Sequence, residues 1–502
     1  MRLLLLLVVL VVVIWGVTSL SHSRHAAVPT PPAPAQSVPP FSSAFVRSGA
    51  RWGEEDRASL VADIRDSLAT GDYPPETGIV LVDARTGDTL YSFNANDPLV
   101  PASTIKLVVT ATALRDLGAR YRFKTSVATS GSVQDGVLNG DVYLIGGGDP
   151  ELASTDLLAA AKQLKASGID QINGDVVADG SLFGDDDVNK TWDADDLIYG
   201  WAAPPSAVTI DDGAVQFTIT PDANGGLATV DVDPPTGAGN VLGGVRTASE
   251  DSDNTLRIDP LPDGSGFSLS GQIPYGAPQK YWRAIAHPTQ AAARIFDAIL
   301  NKEGVVVSGV ADDGAAPAVA TTVWTHDSRP LTAIIHRMAM ESNNHIAEQL
   351  LRSVGAQTAG LGSLANGLAA EKSFLQSLGV PSDRIVLADG SGLSPNDRIT
   401  AGLLTSVLRS MLAGPDAAQI ATLLPRVGVE GTVQVRDDLP PDVLGRILGK
   451  DGYIEGASSL AGYVKTAHHG VVIYAFVVND WQNGLDAIWA QEDDLLARIA
   501  RM

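Results

Sequence analysis

Pro101-Ala-Ser-Thr-Ile-Lys-Leu-Val-Val-Thr-Ala-Thr-Ala-Leu114 decides how the rest of the chain is read. Apolar residues leave almost no polar face, so the stretch predicts a helix buried on all sides. Pro101 and Ser103 sit where a helix start is expected. Within it, Ser103-Thr-Ile-Lys106 places a hydroxyl and an amine three residues apart, on one helix face. Burial disfavours an ammonium ion and lowers its pKa. A neutral amine beside a hydroxyl can take its proton and make it a nucleophile. The helix N-terminus adds N–H groups and positive potential near a developing oxyanion. Alone, this pattern is weak: an N-capping serine and a snorkelling lysine would also produce it.

Outward from this stretch, Gly78-Ile-Val-Leu-Val-Asp83 and Thr89-Leu-Tyr-Ser-Phe93 read as strands of a hairpin joined by Arg85-Thr-Gly-Asp88. Arg57 to Leu68 has helical spacing. Between about Thr125 and Lys280, short alternating runs (Val137–Leu144, Gly174–Asp179, Val215–Ile219, Thr229–Val232) are separated by Gly, Asp and Pro, as in one or two β-rich modules. Helical patterns return at Thr289–Leu300, Leu331–Val354, Leu364–Leu378 and Thr400–Leu412. Three strand candidates, Arg446–Gly449, Leu460–Val464 and Val471–Val478, precede a helix over Ala487–Met502.

Composition narrows the function. The 502 residues are 45% hydrophobic, too apolar for a disordered chain. With 35 Lys+Arg against 58 Asp+Glu, the net charge of −23 argues against nucleic acid as a partner, since phosphate contacts need basic surfaces. The absence of cysteine excludes disulfides, thiolate metal sites and a cysteine nucleophile. The eight histidines show no H-E-x-x-H spacing, and no metal is expected. Gly146-Gly-Gly148 is not followed by the Lys-Ser/Thr of a phosphate loop and reads as a turn. The acidic run Gly184-Asp-Asp-Asp187 reads as a solvated loop.

Arg2 followed by the charge-free run Leu3–Leu20 has the form of an export signal. As a helix it would be about 27 Å long, close to a bilayer's hydrocarbon core. Residues 1–27 are therefore expected to act as a signal peptide or a membrane anchor, with residues 3–20 as the tether. Residues 28–49, rich in Pro, Ala and Ser, follow as a linker. The remainder is expected outside the cytoplasm, in the periplasm or cell envelope.

A second motif gives the first its meaning. Met340-Glu-Ser-Asn-Asn-His345 contains Ser342-Asn343-Asn344, a Ser-x-Asn triplet in a helical stretch. It supplies a second hydroxyl for proton relay and an amide to hold a substrate. Ser-x-x-Lys with such a triplet and a later Lys-Thr-Gly is the motif set of penicillin-binding proteins and β-lactamases. The chain resembles the class C low-molecular-mass penicillin-binding proteins of the D-alanyl-D-alanine carboxypeptidase/endopeptidase type, peptidase family S13. Further markers are Gly140-Asp-Val-Tyr-Leu-Ile-Gly-Gly-Gly-Asp-Pro150, Gly174-Asp-Val-Val-Ala-Asp179, Ala203-Pro-Pro-Ser-Ala207, Asp389-Gly-Ser-Gly-Leu-Ser394 and Leu460-Ala-Gly-Tyr-Val464. About 240 residues separate the first two motifs, as the family's inserted domains imply.

The third motif departs from the pattern. Lys465-Thr466-Ala467 matches as text but follows the Leu460–Val464 strand, whereas the family places Lys-Thr-Gly before it. Counting back ten positions from Leu460 gives Lys450-Asp451-Gly452, with Asp451 in place of the threonine. An ionised Asp451 would repel a substrate carboxylate; a protonated one could donate a hydrogen bond. Alternatively Lys450 neutralises it, the substrate lacks a free carboxylate there, or catalysis has decayed.

The resemblance implies an α/β fold. A transpeptidase-like (serine β-lactamase-like) domain, an antiparallel sheet flanked by helices, would form from residues 50–126 and 281–502, with β-rich domains inserted over 127–280. It implies a serine D,D-peptidase without cofactor, acting on peptidoglycan stem peptides and covalently captured by β-lactams. Ser103 would attack and Lys106 would be the base. Ser342 would relay a proton and Asn344 would hold the substrate amide. Lys450 would orient Ser342, and the backbone N–H groups of Ser103 and Tyr453 would form the oxyanion hole. Asp451, Gly452 and Asp196 would contact substrate, Asp196 through the free amine of diaminopimelate. The alternative is a catalytically impaired homologue that binds peptidoglycan; a β-lactamase is disfavoured because no deacylating Glu motif is evident.

Overall fold

The structure, a computed structural model, describes residues 49–502 except positions 72, 185–187, 236, 382, 415–416, 437 and 482–483. The expected leader and most of the linker, and Asp185 to Asp187, lie outside the described residues.

A five-stranded antiparallel sheet carries the site. Its strands are β1 (Thr77–Asp83), β2 (Thr89–Phe93), β3 (Ile447–Ile454), β4 (Ala457–Lys465) and β5 (Val471–Asn479), in the order β2-β1-β5-β4-β3. β1 and β2 form the expected hairpin, with a register shift between Leu81 and Val82. Both sheet faces are covered, which is why β1 and β5 are buried at every position and read as unbroken apolar runs instead of alternating. One face packs Ile79, Leu81, Tyr474 and Phe476 against α1 (Glu54–Thr70) and the C-terminal helix Leu485–Arg501, through Leu60, Ile64, Leu495 and Leu496. The other packs Val80, Tyr463, Ile473 and Ala475 against helices from the middle of the chain. These are α2 (Lys106–Asp116), α3 (Leu331–Glu341), α4 (Asn344–Ala359), α5 (Leu364–Ser377) and α6 (Ala401–Met411).

Two expected helices differ in detail. The 101–114 stretch opens as a 3₁₀ turn, Ala102–Ile105, before becoming α2, whose residues Lys106 to Ala113 are all buried. The 331–354 stretch is broken at Ser342, which adopts the left-handed conformation (φ 54°) and ends α3.

The intervening chain holds more helix than a β-rich module implies. Strands Lys124–Thr129, Val142–Ile145, Val176–Asp179, Ala311–Asp313 and Thr321–Asp327 share one sheet. Helices Ser154–Ala166 and Pro288–Lys302 share a core with it, including Val127, Leu144, Leu164 and Phe296. A smaller β unit, cored by Phe217, Phe267 and Ile258, pairs Ala214–Thr220 with Thr229–Asp233 and Gln279–Ala284. Because Thr321–Asp327 pairs with Lys124–Thr129, we place the return to the sheet-and-helix domain near 328. The expectation of 281 took Thr289–Leu300 as the returning helix, whose periodicity does not reveal which core it serves.

Candidate active site

Ser103 lies in the 3₁₀ turn ahead of α2, and Lys106 is the first residue of that helix. The turn brings Lys106 Nζ to 2.7 Å from Ser103 Oγ. The same nitrogen is 2.7 Å from Asn344 Oδ1 and 2.5 Å from the carbonyl of Ser391. The last two atoms can only accept. A neutral amine has two N–H groups, so both are consumed there and its lone pair is left facing the serine hydroxyl. Burial pushes Lys106 down to about 7, and the charge of Lys450 pushes the same way.

The Ser-x-Asn triplet is a helix break with its own cap. Ser342 turns the chain, Asn343 caps α4 by accepting the N–H of Ile346 at 3.0 Å, and Asn344 begins α4 facing Lys106. The Asn344 amide also donates to the carbonyl of Trp201 at 3.1 Å. Asp196, raised by burial, forms a side-chain hydrogen bond with Trp201 and so sits beside this edge of the site. His345 is buried and held neutral, pushed down to about 4 by desolvation.

β3 is the sheet's edge strand and supplies the facing wall. Gly452 is required by close approach: a β-carbon there would stand 2.7 Å from Ser103 N and 2.5 Å from Ser459 Oγ. Gly449 donates its N–H outward, to Pro425 O. By the unbroken alternation of β3, the N–H groups of Asp451 and Tyr453 also point off the edge. Gly452 thus brings β3 up to Ser103 N, with Tyr453 the next residue along the strand. Lys450 is buried, but its ammonium donates to Asp451 Oδ1 (2.6 Å) and Asp451 O (2.7 Å), not to Ser342, the partner expected for it. The text match at Lys465–Thr466 lies where β4 turns toward β5, with Thr466 bonded to Gly470 O.

Sequence reading missed the support beneath Lys106. Glu348, four residues after Asn344, accepts the N–H groups of Gly390 and Ser391 at 2.9 and 3.0 Å and pairs with Arg352 at 2.9 Å. Asp389 accepts the N–H groups of Ser391, Gly392 and Ser394 and the indole of Trp192. Together they hold the 389–394 turn so that Ser391 O meets Lys106. An acidic residue one helical turn after Asn344 was the available signal for Glu348. Glu371, fully buried, is raised well above the usual carboxyl range by desolvation and then by the charge of Glu348.

A sequence model of the D-Ala-D-Ala carboxypeptidase 3 (S13) family matches residues 60–499. The chain belongs to that family. It is 33% identical over 476 residues to a D-alanyl-D-alanine carboxypeptidase of an Actinomadura species, covering 90% of this chain and 86% of the relative. It is 27% identical over 433 residues to D-alanyl-D-alanine carboxypeptidase DacB of Haemophilus influenzae, covering 84% and 89%. Among solved structures, penicillin binding protein 4 of Haemophilus influenzae superposes with a TM-score of 0.77 at 26% identity, over 89% of this chain and all of that one. The α/β, penicillin-binding-protein-like architecture expected from the motifs is therefore the fold of the family. Among the described residues no helix is long and apolar enough to cross a membrane, and no cluster of metal-ligating side chains occurs.

Proposed function

We propose that the protein is a serine D,D-peptidase of peptidoglycan stem peptides, working through an acyl-enzyme on Ser103. The observation that carries this is the set of contacts at Lys106 Nζ, 2.7 Å from Ser103 Oγ and Asn344 Oδ1 and 2.5 Å from Ser391 O, in which a neutral amine gives its two N–H groups to the two carbonyl oxygens. Ser103 Oγ attacks the penultimate D-Ala carbonyl as its proton passes to Lys106 Nζ. The oxyanion is held by the N–H groups of Ser103 and Tyr453. The C–N bond breaks, the leaving amine takes a proton through Ser342, and water hydrolyses the ester. Asn344 holds the substrate amide, and Asp196 offers a carboxylate to a free amine on the stem peptide. β-Lactams are expected to acylate the same hydroxyl. The charge-free run at residues 3–20 and the family's cell-wall substrate support an extracytoplasmic location, with that run as signal or tether.

The test is to incubate the protein with labelled penicillin and map the adduct by mass spectrometry. The label is expected on Ser103 and absent from Ser103→Ala. Folded wild-type protein that takes no label would overturn the assignment. Asp451 favours a second reading, an impaired homologue that only binds peptidoglycan. In that case Asp451→Thr would produce a large gain in acylation from a near-zero base.

A further inference from the structure

A peptide cut one residue from its end places a carboxylate close to the scissile amide, where an unpaired cation would hold it. Around the edge of β3, Lys106, Arg436, Arg337 and Lys450 are already engaged. Lys106 is neutral when it acts as base. Arg436 is buried between Glu492 and Asp493 (2.7 and 2.8 Å). Arg337 bridges Asp212 and Glu341. Lys450, whose charge acts on Lys106, donates to Asp451 Oδ1 at 2.6 Å. Thr432, from the turn Gly431–Val435, donates to the same oxygen at 2.6 Å. Asp451 is ionised: burial opposes its charge, but Lys450 and the Thr432 hydroxyl outweigh burial and hold it below the usual carboxylate range. Its Oδ2 has no hydrogen-bond partner among the described residues, and its side chain keeps 21% exposure. The edge therefore presents a carboxylate oxygen, an atom that accepts hydrogen bonds and repels anions.

We infer that Asp451 is a specificity determinant that selects D,D-peptide bonds whose leaving residue carries a primary carboxamide in place of a free α-carboxylate. The carboxamide N–H donates to Asp451 Oδ2, while a carboxylate there meets like charge. A cross-link in which the leaving diamino acid bears an amidated carboxyl has this chemistry. The reaction is unchanged in its balance: the acyl group passes to Ser103 Oγ, the leaving group departs as a neutral amino amide once protonated, and water releases the acid. This inference rests on the acyl-transfer reading above.

Two synthetic peptides with the lysine side-chain amine left free test it: Nα-acetyl-Lys-D-Ala-D-Ala as the free acid and as its C-terminal carboxamide, each assayed with wild type, Asp451→Thr, Asp451→Asn and Ser103→Ala. For wild type, kcat/KM is expected to favour the carboxamide by about tenfold or more. The preference is expected to shrink in Asp451→Asn and to reverse in Asp451→Thr, whereas a purely structural role would lower both substrates together. Wild type that cleaves the free acid as fast as the carboxamide, with Ser103 still acylated by a β-lactam, would overturn the inference and leave the acyl-transfer reading standing. Failure to cleave either peptide, with no acylation of Ser103, would overturn both.

Discussion

At the scale of single residues, the chemistry turns on one proton. Lys106 can accept it only while neutral, and desolvation followed by the charge of Lys450 pushes its pKa down to about 7. Below that pH the third N–H of the ammonium occupies the lone pair that faces Ser103. We therefore expect kcat/KM for acylation to rise about tenfold per pH unit below 7 and to level off above it. A limb centred near pH 10, where an unperturbed lysine titrates, would place the base elsewhere. The stability effect has a definite sign. The unfolded chain binds this proton more tightly than the folded one, so the penalty for burying the amine is fully present below pH about 7. It lifts as pH rises toward the unfolded value. Ser103, Lys106 and Asn344, which the structure brings together, could be picked out because two short motifs pointed to one family, whereas Lys450 was reached only by counting back from Leu460. Glu348 and Ser391 were not legible, because Ser391 acts through its carbonyl, which any residue carries, and the Glu348 carboxylate meets backbone N–H groups 42 and 43 positions away, which no local window reports.

At the scale of elements, the site depends on how closely an edge strand can approach a 3₁₀ turn. The sequence indicated both, but it indicated the turn as the first coil of a helix. The difference matters because the turn sets Ser103 N against β3, 2.7 Å from where a β-carbon on Gly452 would stand, while Lys106 to Ala113 of α2 are buried behind it. Gly452 sets the spacing. In Gly452→Ala the new methyl would stand 2.7 Å from both Ser103 N and Pro101 O. These are backbone atoms that cannot step aside as a side chain end would, so the strand must move outward. We expect acylation by penicillin to fall by about 100-fold, as a displacement of reacting groups by about 1 Å predicts. The other four strands hold the sheet, so far-ultraviolet circular dichroism should be unchanged. Acylation at the wild-type rate would show that the edge carries no part of the oxyanion position.

At the scale of the whole molecule, the inserted modules are part of the site's frame. Strand and turn signals located them in the sequence. Their end was not legible because Thr321–Asp327 pairs with a strand about 200 positions earlier, and nothing in a local window reports such a partner. The segment that follows Val176–Asp179 then packs against the support of Lys106. Asn189 Nδ2 donates to Ala388 O at 2.7 Å, Thr191 Oγ1 to Ser394 Oγ at 2.7 Å, and Trp192 Nε1 to Asp389 Oδ2 at 2.8 Å. Asp389 orders the turn that presents Ser391 O to Lys106, so loosening this contact should reach the nucleophile through the turn alone. Trp192→Phe keeps the aromatic volume and removes one buried N–H donor. Asp389 Oδ2 keeps the Ser394 N–H but loses the indole donor, which should cost about 1.5–3 kcal/mol of stability, measurable by urea unfolding. If the inserted segment positions the turn, acylation of Ser103 should also slow by about tenfold at a temperature where the variant is fully folded. A variant that loses stability but acylates at the wild-type rate would confine Trp192 to holding the modules together.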